Sequence, residues 1–156
     1  MDQEAKQKKF TPLQAKFKAE SYCAYQERCQ QEMRRKLSEW GVWGNDAEEI
    51  IYHLISENFL NEERFAKAYA GGKFRTQHWG KTRIKRELKF REISEYCIKQ
   101  AMKEIDDDDY IKVIEFEAEK KLAQTKLKIE WQKKQKVAQY LISRGFESDL
   151  VWTVLK

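Results

Sequence analysis

Between Lys73 and Arg91 the chain sets eight cations, Lys73, Arg75, Lys81, Arg83, Lys85, Arg86, Lys89 and Arg91, against the single acid Glu87, with Phe74, Trp79 and Phe90 interleaved. On a helix whose inward residues are Ile84 and Leu88, Arg83, Arg86 and Lys89 follow one another at three-residue spacing and face outward, with Lys85 beside them. Such a strip can meet phosphates, or acidic side chains on a protein partner. The candidate binding set is therefore Lys73, Arg75, Lys81, Arg83, Lys85, Arg86 and Lys89. The competing reading is an ordinary solvated helix face with Trp79 and Phe90 packed against neighbouring helices. A second basic stretch, Lys120, Lys121, Lys126, Lys128, Lys133, Lys134 and Lys136, is all lysine. Its point charges suit bidentate recognition poorly, so a solvated face competes equally there. Trp131 is expected in a core or a contact between units.

Catalytic constellations are missing by motif. The sequence contains no P-loop, GxGxxG, GxSxG or HExxH, and His53 and His78 stand apart from any cysteine or carboxylate at ligand spacing. The acidic cluster Asp106 to Asp109 lacks the glycine and the spaced ligands of a calcium loop, and it reads as acids at a helix start. Cys23, Cys29 and Cys97 form no CxxC pair and read as small, partly buried side chains. A binding protein without metal or cofactor is expected, rather than an enzyme.

The elements that must carry the strip are helices. One proline and six glycines leave little punctuation for short strands, and apolar residues recur at spacings of three and four. Helix breaks are expected at Gly41 to Asn45, Phe59 to Asn61, Gln77 to Gly80, Glu92 to Ser94 and Gly145 to Ser148. Thr11-Pro12-Leu13-Gln14 spells a capping box with proline at the first helical position. Asn45, Asn61 and Ser94 read as further caps. Met1 to Phe10 is a polar, charged lead-in without the apolar core of a signal peptide, and the longest apolar stretches are too short to span a bilayer. A cytoplasmic protein that is not membrane-bound is expected. The net charge of +5 tilts it towards anionic partners.

Three segments share one frame: Met33-Arg-Arg-Lys-Leu37-Ser-Glu-Trp-Gly-Val42, Ile84-Lys-Arg-Glu-Leu88-Lys-Phe-Arg-Glu-Ile93 and Val137-Ala-Gln-Tyr-Leu141-Ile-Ser-Arg-Gly-Phe146. In each an apolar residue is followed by leucine four later and another apolar residue five after that, which closes a core just past a helix end. Gly41 and Gly145 supply the stop, and Glu92 replaces it in the second copy. The next helix repeats as Cys97, Ile98, Ala101, Met102 and as Leu150, Val151, Val154, Leu155. Ile50, Ile51, Leu54 and Ile55 fit if Trp43-Gly44-Asn45-Asp46 is an insertion. Upstream helices are expected over Pro12 to Gln26, Glu62 to Thr76 and about Tyr110 to Gln124. The fold class that follows is all-α, with three tandem three-helix repeats at 11–58, 59–105 and 106–156 behind a lead-in at 1–10. Their stacking gives an elongated array, straight or curved.

At these residues the sequence also resembles a known family. Glu27-Arg28, Glu32-Met33-Arg34-Arg35-Lys36-Leu37, Gly41 and Phe59-Leu60-Asn61-Glu62-Glu63-Arg64-Phe65-Ala66-Lys67-Ala68-Tyr69 look like the front half of RecX proteins, bacterial regulators of the RecA recombinase. Gly80-Lys81-Thr82-Arg83-Ile84-Lys85-Arg86-Glu87-Leu88 and Tyr140-Leu141-Ile142-Ser143-Arg144-Gly145-Phe146 continue the likeness in order, so that it covers about residues 19 to 156. Cys29 stands where the family usually has a capping serine, Asn61 where an aspartate is common, and Glu92 where a glycine is expected. The resemblance implies a monomeric helical-repeat protein that binds the RecA filament and restrains filament growth, strand exchange and ATP hydrolysis. Direct DNA binding through the phosphate backbone is the alternative.

Overall fold

In a computed structural model, residues 9–156 are described. Among them nine helices and no strands occur: α1 Pro12–Tyr25, α2 Gln30–Glu39, α3 Gly44–Ser56, α4 Glu62–Gln77, α5 Lys81–Phe90, α6 Glu95–Met102, α7 Asp107–Gln124, α8 Glu130–Ser143 and α9 Ser148–Leu155. Helices pack within the triplets α1–α3, α4–α6 and α7–α9. None of these helices is long and apolar enough to cross a membrane.

Each triplet begins where a side chain answers the free N–H groups of a first turn. Thr11 and Gln14 form the reciprocal capping box, with Gln14 N donating to Thr11 Oγ1 at 3.2 Å and Thr11 N to Gln14 Oε1 at 3.0 Å. Asn61 accepts from Arg64 N at 3.0 Å, and Asp106 accepts from Asp109 N at 3.0 Å. The acidic cluster is thus the start of α7, as its sequence implied.

Every middle helix ends in the same way. Gly41, Glu92 and Gly145 all take left-handed backbone, with φ of +84°, +61° and +100°. The following residue then reaches back, Val42 N to Leu37 O at 2.8 Å, Ile93 N to Leu88 O at 3.1 Å and Phe146 N to Leu141 O at 3.2 Å. This is the paired hydrogen bonding of a Schellman stop, sealed by an apolar contact. Leu37, Leu88 and Leu141 are fully buried beneath it. Truncating any of them to alanine removes about 2–5 kcal/mol by the usual core cost. Glu92 therefore replaces the glycine without abolishing the stop, at a strain of about 1 kcal/mol.

The first copy departs from expectation elsewhere. Asn45 does not cap, because Trp43 is the N-cap residue, with extended backbone and no side-chain hydrogen bond, and α3 starts at Gly44. From the end of the middle helix to the start of the third, all three copies spend four residues, 40–43, 91–94 and 144–147. Of the four inserted residues, Trp43 takes a place in the connector and Gly44, Asn45 and Asp46 sit inside α3, which has 13 residues against 8 in α6 and in α9. An extra helical turn satisfies its own backbone, whereas a longer loop would not.

The apolar core divides in two. Residues of the first triplet surround Met33, Leu37, Ile51 and Leu54. A second, continuous cluster runs through the second and third triplets and takes in Cys29 from the first. Burial pushes the thiols of Cys23 and Cys29 up to about 11, so both stay neutral, and Cys97 is half-buried. Phe10, expected in the lead-in, is docked: its N–H donates to Trp40 O at 2.9 Å and its ring meets Trp40 edge-on at 6.2 Å. Residues 1–8 of the lead-in lie outside the described residues.

Candidate functional site

Helices α4 and α5 are joined by His78, Trp79 and Gly80, and this joint decides where the basic strip points. His78 turns left-handed with φ 53°, and Trp79 N then donates to Lys73 O at 3.3 Å, so the indole folds back over the end of α4. Trp79 is buried, with Tyr69 edge-on at 6.3 Å. Two cations close over the ring, Arg83 at 4.0 Å and Lys73 at 4.8 Å from its centre. Arg91 covers Tyr69 at 4.8 Å and is held by Glu87 at 3.1 Å and by Glu32 of the first triplet at 3.7 Å.

The sequence strip is therefore split between faces. Arg83 does not simply face outward, as its spacing implied, but lies half-buried along Trp79. Lys81 leans over the Tyr110 ring at 4.7 Å and pairs with Asp107 at 3.5 Å. Lys85, Arg86 and Lys89 are exposed, and Lys89 reaches Glu95 at 3.6 Å. Arg75 is exposed at the end of α4, beside a shallow hollow shared with Phe116 and Lys112. Lys73, Arg75, Arg83, Lys85 and Arg86 enter no ion pair among the described residues. Charges left without an internal counter-ion keep their full attraction for an external anion. Of the two aromatic residues that the competing reading packs against neighbouring helices, Trp79 is buried, while Phe90 is 70% exposed.

What fixes this surface is the joint between the second and third triplets. Gly80 N donates to Arg144 O at 2.9 Å and Thr82 N to Gly145 O at 3.0 Å, so the start of α5 rests on the stop of α8. Arg144 also donates to Gln77 O, closing the joint from the other side. Lys81 N donates to the Tyr110 hydroxyl at 2.9 Å, and that hydroxyl in turn donates to Glu147. Burial and the Glu147 carboxylate push the Tyr110 phenol far above its ordinary value, so it remains a donor. His78, apart from carboxylates in sequence, meets Glu117 at 2.6 Å, and His53 likewise meets Glu20 at 2.7 Å. Neither pair gathers a third ligand, and among the described residues no cluster of three or more His, Cys, Asp or Glu is arranged to hold a metal.

Between the first and second triplets the joint is more electrostatic. Gln30 N donates to Glu62 Oε2 at 3.1 Å, and Arg64 pairs with Glu27. Cys29 caps α2 by position without a side-chain hydrogen bond, and the Glu62 carboxylate supplies the acceptor that its thiol does not. Burial pushes the Glu62 carboxyl up, with the Gln30 N–H pulling the other way.

The second basic stretch holds together less well. Lys121 lies over Tyr140 at 4.3 Å, while Lys126 and Lys128 are exposed in the connector between α7 and α8. Trp131 is 65% exposed, not in a core or a joint. Tyr96, Lys99 and Met102 of α6, absent from the sequence-derived set, line a groove with Lys85 and Lys89. Only the fold brings α6 beside α5, so spacing along the chain carried no signal for them.

The chain matches family models described as the second and third three-helix domains of RecX over residues 61–102 and 107–155. It is 29% identical over 139 residues to the regulatory protein RecX of Bacillus licheniformis, covering 89% of this chain and 53% of that one. The RecX of Clostridioides difficile is 27% identical over 143 residues, covering 92% of this chain and 67% of that protein. The chain thus spans about half the length of the first of these relatives and two thirds of the second. A crystal structure of RecX from Lactobacillus salivarius superposes with a TM-score of 0.83 at 24% identity, covering 92% of this chain and 94% of that one.

Proposed function

Because this chain belongs to the RecX family, we propose that it regulates the RecA recombinase, binding the RecA–DNA filament and limiting filament extension, strand exchange and ATP hydrolysis. The observation that carries the reading is the surface of the middle triplet, where Lys73, Arg75, Arg83, Lys85 and Arg86 stand without internal counter-ions on a body joined to the third triplet through Gly80 and Gly145. Successive triplets joined in this way can contact successive protomers of a filament, so that modest contacts add through multivalency. The protein acts as a monomer in the bacterial cytoplasm and needs no cofactor.

The test is a titration of this protein into RecA assembled on single-stranded DNA at moderate salt, following ATP hydrolysis. Hydrolysis falls as the protein is added, and filaments shorten in electron micrographs. An unchanged rate together with unchanged lengths removes the reading. The same unpaired cations also support the second reading, direct binding to the phosphate backbone. Tight binding to naked oligonucleotide with a steep salt dependence, and no added effect of RecA, selects that one.

A further inference from the structure

Helices α5 and α6 enclose a groove of about 490 Å³ that the basic strip does not account for. Lys85 and Lys89 stand on its α5 side and Lys99 on its α6 side, above a floor of Ile98 and Met102 with the exposed ring of Tyr96 at the mouth. The groove continues past Lys99 and Met102 into a second hollow that ends on Asp106 and Asp107. The α5 end sets Lys85, Lys89 and Lys99 against Glu95, which pairs with Lys89, and the far hollow balances Lys99 and Lys103 against Asp106 and Asp107, so the excess of positive charge lies at the α5 end and fades towards the far end.

That gradient decides between occupants. A nucleic-acid strand carries the same charge at every phosphate and would bring anions against Glu95, Asp106 and Asp107. The apolar floor, half of it a deformable methionine, also offers nothing to a phosphodiester, but it accepts an aliphatic or aromatic side chain. We propose that this groove docks a short protein segment that carries acidic residues on one side of an apolar anchor and a neutral or basic residue on the other. The acids meet Lys85, Lys89 and Lys99, and the anchor lies on Ile98 and Met102. The proposal rests on the filament-binding reading, for which it names the contact surface, and it adds Tyr96, Lys99 and Met102 to the binding residues.

The groove is read directly with a fluorescein-labelled peptide Asp-Glu-Asp-Leu-Phe-Gly-Lys, by anisotropy, on the wild-type chain and on the double variant Lys85→Glu/Lys99→Glu. Both lysines are exposed, and circular dichroism checks that the variant keeps its helices. The wild type binds the peptide about tenfold more tightly than the variant does, and Arg35→Glu, exposed on α2 of the first triplet, changes affinity less than about twofold. Equal affinity of wild type and double variant overturns the proposal, as does an oligo-dT strand that binds the wild type and is lost in the double variant. A RecA ATPase titration runs alongside. If the wild type inhibits hydrolysis and the double variant inhibits equally, the groove is wrong and the filament reading stands. If the wild type does not inhibit, the filament reading fails, and the peptide measurement alone decides the groove.

Discussion

Gly80 and Gly145 meet backbone against backbone: a Cβ at Gly80 would lie 2.1 Å from the carbonyl carbon of Gly145, and one at Gly145 would lie 2.4 Å from the Cβ of Arg83. No side chain fits between them, so the joint of the second and third triplets requires two glycines from segments far apart in sequence.

Gly80→Ala forces that joint open and costs about 3 kcal/mol, in the range of overpacking in a core. Gly145→Ala adds the left-handed strain of its φ of +100° to the clash. Urea unfolding followed by far-ultraviolet circular dichroism checks both. A midpoint unchanged by Gly80→Ala would mean that the triplets are not held as described.

At the second helix stop the reverse substitution helps. Glu92 is exposed and pays for left-handed backbone at φ +61° with no hydrogen bond of its own side chain. Glu92→Gly relieves about 1 kcal/mol, less a few tenths for the greater freedom of glycine when unfolded. A raised melting temperature is the expected result, and a lowered one would show that Glu92 serves another purpose.

Two arginines three residues apart on α5 separate fold from function. Arg83→Ala uncovers Trp79 and loses about 1 kcal/mol of cation–π contact and packing. Arg86→Ala, on an exposed face, changes stability by less than about 0.5 kcal/mol. Weakened partner binding in Arg83 variants must therefore be read beside their melting curves, whereas Arg86 variants report on binding alone.

Glu62 gives the joint of the first and second triplets a pH dependence. Burial raises its carboxyl in the folded state, so the folded chain holds that proton more tightly than the unfolded one. The contribution of Glu62 to stability is thus fully present below the unfolded carboxyl value of about 4.3 and is lost as pH rises through the raised folded value. Glu62→Gln keeps an acceptor for Gln30 N and removes the buried charge. The variant gains on the wild type between pH 4 and pH 8 in urea midpoints, and parallel pH profiles would remove the claim.

The helices were legible because their signals are local. Thr11 with Gln14, Asn61 and Ser94 capped where their sequence neighbourhood said they would, since a cap needs only the N–H groups two or three residues on. The recurring leucines at 37, 88 and 141 marked buried positions for the same reason, as a period of 3.6 puts them on one face. Locality also explains one misreading and one helix stop that holds without its usual glycine. Asn45 has the chemistry of a cap but lies inside α3, because the Gly41 stop fixes the connector length first and the rest of the insertion is absorbed as helix. Glu92 lacks the usual residue for its conformation but is held there by the apolar contact of Ile93 over Leu88.

By itself, then, the sequence determined an all-helical chain, the three-copy frame, the positions of the core and the excess of positive charge in the middle copy. Tertiary structure alone decided what stands beside each of those charges. Arg83 and Lys73 are drawn onto Trp79, Lys81 onto Tyr110 and Asp107, and Arg91 onto Glu32, through pairings that cross helices and triplets. It also set Tyr96, Lys99 and Met102 beside Lys85. A charge repeated along a helix reports its own face through short-range geometry, but what neutralises or accompanies it depends on long-range packing, which no spacing along one helix encodes.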